Sequence, residues 1–230
     1  MLGLLPTGGG KSLTFQFPSI IQNGCSIVVC PISALVRDHV AELNQLGLGG
    51  KSEYINAQIV GAKRKHIHTK LQQGKLKFLF VSPEQFQSEQ FREFVSQACQ
   101  KEQITRFVID EAHCLSEWGH EFRISYLSLS HTLRTLGIEV PIMCLTATAS
   151  ISVVRDISIE FAIEDEDIIY EMSQSRPELT FDVRKSSNKL NDLKSDLKLR
   201  TKQNRLNQKN AAIIFFSTVN GRNGAYPLLP

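Results

Sequence analysis

The chain has 230 residues, 42% of them hydrophobic and 21% charged, with 26 Lys and Arg against 23 Asp and Glu for a net charge of +3. These are the proportions of an ordinary globular protein of one or two domains, each able to bury a core, and global charge gives no argument for a nucleic-acid partner. No apolar run approaches the ~20 residues that span a bilayer, and Met-Leu-Gly-Leu-Leu-Pro lacks the features of a secretory signal, so a cytoplasmic protein without membrane attachment is expected.

Residues 2–5 read as a short strand, which feeds Pro6-Thr7-Gly8-Gly9-Gly10-Lys11-Ser12. Three consecutive glycines let the backbone take positive φ and approach a ligand closely. Successive N–H groups then form a concave anion nest. A helix is expected from Ser12 to about Gln16, its N-terminus favouring phosphate. In such a loop the lysine, Lys11, reaches the β- and γ-phosphates of a triphosphate, and the Ser12 hydroxyl sits on Mg²⁺. Leu5 stands where the strict pattern has glycine, which leaves the phosphate cradle whole.

Residues 26–30 read as the next strand, followed by a helix over 35–45. Lys63, Arg64, Lys65, His66 and His68 form a basic cluster before Lys70. It reads as a solvated helix face, with contact to a phosphate backbone as the alternative. A strand over 78–82 ends at Ser82, and a helix is expected over 85–100. Phe107, Val108 and Ile109 then make an apolar run ending in Asp110 and Glu111. Such continuity fits a strand buried on both faces of a parallel sheet, with ligands at its carboxyl end. There Asp110 can hold Mg²⁺ through its water shell, and Glu111 can orient and polarise an attacking water. His113 is placed to contact a neighbouring motif. With the glycine-rich loop, this points to binding ATP with magnesium and hydrolysing it. A helix over 128–136 and a strand over 142–146 follow.

Strand and helix thus alternate, which argues for an α/β fold: a parallel sheet with helices on both faces. The glycine-rich loop, Ser33, Ser82, Asp110 and Thr146 all fall at or just beyond strand carboxyl ends, and are expected to converge on one edge.

The motifs resemble those of a known family. Asp110-Glu111-Ala112-His113-Cys114-Leu115-Ser116-Glu117-Trp118-Gly119-His120-Glu121-Phe122-Arg123 resembles the second motif and aromatic-rich loop of RecQ-family DNA helicases. Leu145-Thr146-Ala147-Thr148-Ala149 resembles their third motif, and Pro31 to Val40 the motif after the second strand. Ser82-Pro83-Glu84 resembles a further strand-end motif of superfamily 2 helicases. The resemblance implies a P-loop, RecA-like motor using ATP and Mg²⁺ to move 3′ to 5′ on DNA. Thr7, Gly8, Gly9, Gly10, Lys11 and Ser12 would bind nucleotide, with Ser12 and Asp110 on the metal. Lys11, Asp110, Glu111 and His113 would be the catalytic set, with His113 the link to the third motif. Trp118, His120, Phe122 and Arg123 would sense single-stranded DNA, a role that suits stacking aromatics and arginine. Ser33, Arg37, Ser82, Thr146 and Thr148 would share in contacting DNA or in coupling. Ile124 follows Arg123 where the family has proline.

Ser173-Gln174-Ser175-Arg176-Pro177 is polar and ends in proline, so a boundary is expected there. Residues 1–174 are read as the first RecA-like domain, and 175–230 as the beginning of a second. In the latter, 179–183 and 211–216 read as strands. Leu190, Leu193 and Leu197 form one stripe of an amphipathic helix, read as core packing. From Lys185 to Lys209 there are eight Lys or Arg against Asp192 and Asp196. No Gln-x-x-Gly-Arg-x-Gly-Arg pattern, the family's arginine motif, occurs. The expectation is therefore a motor fragment, with the adenine-recognising segment preceding Met1 and with little or no unwinding activity of its own. Five scattered cysteines (Cys25, Cys30, Cys99, Cys114, Cys144) include no Cys-x-x-Cys pair, so reduced thiols and no zinc site are expected. Two other readings stand beside the helicase: a module that binds ATP and nucleic acid without unwinding, and a superfamily 2 RNA helicase, where Asp-Glu-Ala-His also occurs. The Trp118-Gly119-His120 run favours DNA.

Overall fold

The computed structural model describes residues 1–6, 8–31, 33–115, 123–170, 180, 182–183 and 185–202, with backbone alone at 33–35, 115, 123–127 and 199–202. The chain divides into two compact units, Met1–Ser175 and Arg176–Pro230.

In the first unit, the strands are β1 (Leu2–Leu4), β2 (Cys25–Val29), β3 (Ser52–Ile55), β4 (Phe78–Val81), β5 (Ile104–Ile109), β6 (Ile142–Thr146) and β7 (Ile168–Tyr170). They form one sheet in the order β3-β4-β2-β5-β6-β1-β7, and every pair is parallel. The helices are α1 (Lys11–Ile21), α2 (Ser33–Leu43), α3 (Gly61–Gln72), α4 (Glu89–Gln100), α5 (Arg123–Thr135) and α6 (Ile151–Phe161).

The direction of travel explains the layers. From β1 the chain steps to β2 and on to β3 at one edge. It then returns through β4, β5 and β6 to β7 at the other. Right-handed crossovers put helices of opposite travel on opposite faces. Accordingly Phe15 of α1 and Val36 and Leu43 of α2 pack with Val28, Phe78, Phe80 and Val108. Residues of the return leg do otherwise: Ile67 and Leu71 of α3, Phe91 and Val95 of α4, Leu129 and Leu133 of α5, and Val153 and Ile157 of α6 pack with Ile27, Val29, Leu79, Val81, Phe107 and Ile109. Alternate residues of a strand point to opposite faces, so β2, β4 and β5 must be apolar at every central position. Ile27, Val28, Val29, Phe78, Leu79, Phe80, Phe107 and Val108 are all fully buried.

The structure differs from the sequence reading in places. β3 and β7 were not expected. Both are edge strands of three or four residues; β3 is Ser-Glu-Tyr-Ile, and in β7 Ile169 and Tyr170 are exposed, so neither has the longer, doubly buried apolar run of a central strand. α6 was not expected either; Ser150 caps it by accepting from the Val153 N–H. The helix expected over 85–100 is two pieces. Pro83–Gln87 is a 3₁₀ turn, Ser88 is extended at φ −77° and ψ 121°, and α4 starts afresh at Glu89. The helix expected over 35–45 begins at Ser33 and passes into a wide turn, Asn44–Leu48, where Gly47 takes φ 84°.

The basic cluster on α3 is only partly a solvated face. Lys63, Lys65 and His66 are exposed. Arg64 donates to Gln85 Oε1 at 3.1 Å and lies over the Phe91 ring. Lys70 pairs with Glu53 at 2.6 Å, and His68 stacks on Phe94.

In the second unit, α7 (Lys189–Lys202) is capped by Asn188, whose Oδ1 accepts from the Asn191 N–H at 3.1 Å. Leu190, Leu193 and Leu197 are half-buried on it. Thr180, Asp182 and Val183 are not in a strand. The rest of the strand expected over 179–183, and all of 211–216, lie outside the described residues.

Candidate functional site

The carboxyl ends of β2, β5, β6 and β1, four neighbours in the sheet, lie side by side, those of β6 and β1 two residues beyond those of β2 and β5. Val29 pairs with Ile109, Ile109 with Cys144, and Leu4 with Thr146. The backbone continues this alignment one residue further: the Asp110 N–H donates to Val29 O at 2.9 Å, and the Leu5 N–H to Thr146 O at 3.1 Å. Residues just past those strands therefore meet. β1 and β6 also send their following helices to opposite faces, which opens a crevice between them of the kind ligands use in open α/β sheets.

The glycine-rich loop fills the step from β1 to α1. Gly8 and Gly10 have φ of 83° and 80°, in the left-handed region that disfavours side chains. A Cβ on Gly9 would stand 3.0 Å from Pro6, so the loop is as tight as its sequence demands. Gly10 is the N-cap of α1 and has no side chain to cap it. The first N–H groups of α1 at Lys11 and Ser12 therefore face outward for a ligand, as free helix N-termini do. The helix runs to Ile21, well past the expected Gln16.

Lys11, the first residue of α1, donates from Nζ to Glu111 Oε1 at 3.1 Å. Glu111 itself has φ 50°, unusual for a residue with a side chain. This left-handed turn directly after β5 points Glu111 and Asp110 different ways. The other Glu111 oxygen, Oε2, lies 3.3 Å from His113 Nδ1. The same nitrogen is 2.9 Å from Thr146 Oγ1. The Thr146 hydroxyl donates its only proton to Thr148 O at 3.0 Å, so toward His113 it accepts, and Nδ1 carries the ring proton. A continuous polar chain thus runs Lys11–Glu111–His113–Thr146–Thr148 across three adjacent strands.

Asp110 is buried beside it, at 8% exposure. Its Oδ1 accepts from the Glu111 N–H at 3.0 Å. On the far side, His39 Nε2 of α2 is 3.7 Å from Oδ2, and the Cys30 thiol 4.0 Å. Contact with the Asp110 carboxylate raises the His39 pKa above the usual imidazole value, against the opposing effect of burial. Burial, and then Asp110 and Glu111, push the Cys30 thiol well up, so it stays protonated. Burial also pushes Cys144 up to about 12 and Cys99 up to about 11. All five cysteines are free thiols.

Among the described residues no group of three or more His, Cys, Asp and Glu is placed to hold a metal by protein ligands alone. Mg²⁺ rarely uses such a cage; it is bound through one or two carboxylates, waters and substrate phosphates. Ser12 and Asp110 offer one hydroxyl and one carboxylate, which fits that kind of site.

Other expected residues fall differently. Thr146 is fully buried and Ser82 is 6% exposed. Arg37 and Thr148 are exposed. Ser33 begins α2 and Arg123 begins α5, with backbone alone described. Thr7, Trp118, His120 and Phe122 lie outside the described residues. His39 and Cys30 were not singled out from sequence. Both fall in or beside the segment after β2 that the motif comparison marked, but nothing in their spacing shows that they face a carboxylate 70 or more residues away.

The family model described as DEAD/DEAH box helicase matches residues 1–157. The chain is 36% identical over 186 residues to the ATP-dependent DNA helicase RecQ of Bacillus subtilis, covering 81% of this chain and 30% of that protein. It is 32% identical over 197 residues to the ATP-dependent DNA helicase Q1 of Mus musculus, covering 84% of this chain and 30% of that one. It thus spans under a third of the length of either relative. In structure it resembles the DUF1998 helicase MrfA bound to DNA, with a TM-score of 0.56 at 18% identity, over 74% of this chain and 25% of that one. That likeness extends to the RecA-like fold. The chain belongs to the DEAD/DEAH box helicase family, on its RecQ branch.

Proposed function

We propose that the chain is the ATP-hydrolysing part of a DNA helicase motor of RecQ type. What supports this above all is the Lys11–Glu111–His113–Thr146 chain, which joins a phosphate-loop lysine to a buried relay across three strand ends. In this reading the amides of Gly8 to Ser12 and the Lys11 ammonium bind the phosphates of ATP. Phosphate oxygens compete with Glu111 for Lys11, and the released Glu111 carboxylate holds the attacking water. His113 keeps Glu111 oriented, and reports its position to Thr146. Ser12 and Asp110 would hold Mg²⁺, which when bound neutralises charge on the phosphates.

Trp118, His120, Phe122 and Arg123 are proposed to stack on or pair with single-stranded DNA. Ser33, Arg37, Ser82 and Thr148 are proposed to share in contact or coupling. Residues 175–230 are proposed to begin a second RecA-like domain. Work in DNA repair or recombination, in the cytoplasm, is proposed with it; no described helix is long and apolar enough to cross a membrane.

The test is the steady-state ATPase rate of the purified chain with and without single-stranded DNA, with RNA as competitor. Stimulation by DNA that RNA does not reproduce is expected, and Glu111→Gln should bind ATP but not hydrolyse it. Equal stimulation by RNA would favour an RNA helicase. Nucleotide and DNA binding without turnover would favour a binding module.

A further inference from the structure

The Asp110 carboxylate is held from opposite sides. The Glu111 N–H fixes Oδ1 at 3.0 Å, and His39 Nε2 stands 3.7 Å from Oδ2. That separation is beyond hydrogen-bond length and too short for a water between the two atoms, so the two groups are in direct contact. His39 is itself fixed. Its ring is stacked on Phe80, with centroids 5.6 Å apart and planes 6° from parallel, and Phe80 is a fully buried residue of β4. The sheet therefore holds the plane of the imidazole. The Cys30 thiol, 4.0 Å from the same oxygen, is a weak donor and a poor substitute.

From this juxtaposition we infer that His39 is a positioning residue for the divalent cation: from α2, it fixes the Asp110 carboxylate in the orientation that receives the ion. The inference rests on the proposed role of Asp110. Partners that orient a metal-binding group typically change metal affinity by about 10- to 100-fold when removed. His39 has the two features such a partner needs, a ring nitrogen against the carboxylate and a rigid support behind it.

The probe is Mn²⁺, titrated into the 230-residue chain with a non-hydrolysable ATP analogue and followed by electron paramagnetic resonance. Wild type is expected to take up Mn²⁺ in a nucleotide-dependent way. His39→Leu, which keeps bulk without a donor, should weaken uptake about 10-fold or more. His39→Gln, whose amide can donate, should recover most of it, and both variants should bind the analogue like wild type in EDTA. Wild-type Mn²⁺ affinity in His39→Leu would overturn the inference, as would a loss in His39→Gln as deep as in His39→Leu. Lost analogue binding in EDTA would assign His39 to the fold instead, and overturn it too. Asp110→Asn separates the two levels. If it loses Mn²⁺ while His39→Leu does not, only the inference falls; if it leaves uptake unchanged, the reading of Asp110 fails and takes the inference with it.

Discussion

Thr146 shows how much one hydroxyl can carry. It accepts from His113 and from the Thr148 N–H while donating to Thr148 O, inside a strand end with no exposure. Thr146→Val keeps the shape, takes the acceptor from the Thr148 N–H and leaves His113 with Glu111 alone, a loss of about 1–3 kcal/mol. Its distinguishing effect should be on coupling. ATPase assays should show the factor of stimulation by single-stranded DNA falling more than the basal rate, with urea melts reporting the stability loss. An unchanged stimulation factor would remove Thr146 from the relay. At this scale the sequence was legible where chemistry needs a residue type at a fixed offset from a strand end: Lys11, Asp110, Glu111 and His113 stand together as their motifs implied. It was silent on the left-handed turn at Glu111, a single residue's φ, and on His39, whose place beside Asp110 comes from how α2 packs and not from any local pattern.

Among the elements, α1 carries the phosphate-loop lysine and is seated by Phe15, which is 1% exposed and meets Phe78 edge to face at 6.3 Å. Phe15→Ala should cost about 3–5 kcal/mol. Chemical denaturation measures it, and a loss under about 1 kcal/mol would mean that α1 is held otherwise. The pairing of α3 with α4 carries a pH dependence. His68 lies flat on Phe94 at 3.7 Å between centroids, and its Nε2 is buried with no hydrogen-bond partner. Burial, and then Arg64, lower its pKa. A folded-state value below the unfolded one, about 6.5, means that unfolded chains bind the proton more readily. His68 therefore weakens the fold as pH falls through and below that value, and has no such effect above it. Urea midpoints at pH 7.5 and 5.5 should differ less in His68→Phe than in wild type; an equal drop would contradict the assignment. The central strands were legible because burial on both faces forces continuous apolar runs. β3 and β7, short and at the edges, face no such demand, and the break at Ser88 depends on a local backbone turn that periodicity does not report.

For the molecule as a whole, the order of the strands does what no single motif does. Reversal of travel at β3 puts α1 and α2 on one face and α3 to α6 on the other, and it brings the ends of β2, β5, β6 and β1 side by side. Residues 100 positions apart, Lys11 and Glu111, meet at 3.1 Å as a result. The whole account depends on that meeting place being where a nucleoside triphosphate binds. Its most direct test is the affinity of the wild-type chain and of Lys11→Ala for a fluorescent ATP analogue with Mg²⁺. Loss of the Lys11 ammonium should weaken binding by about 100-fold or more, as expected where charge-assisted bonds to phosphate are removed. Equal affinity in the two proteins would contradict the site.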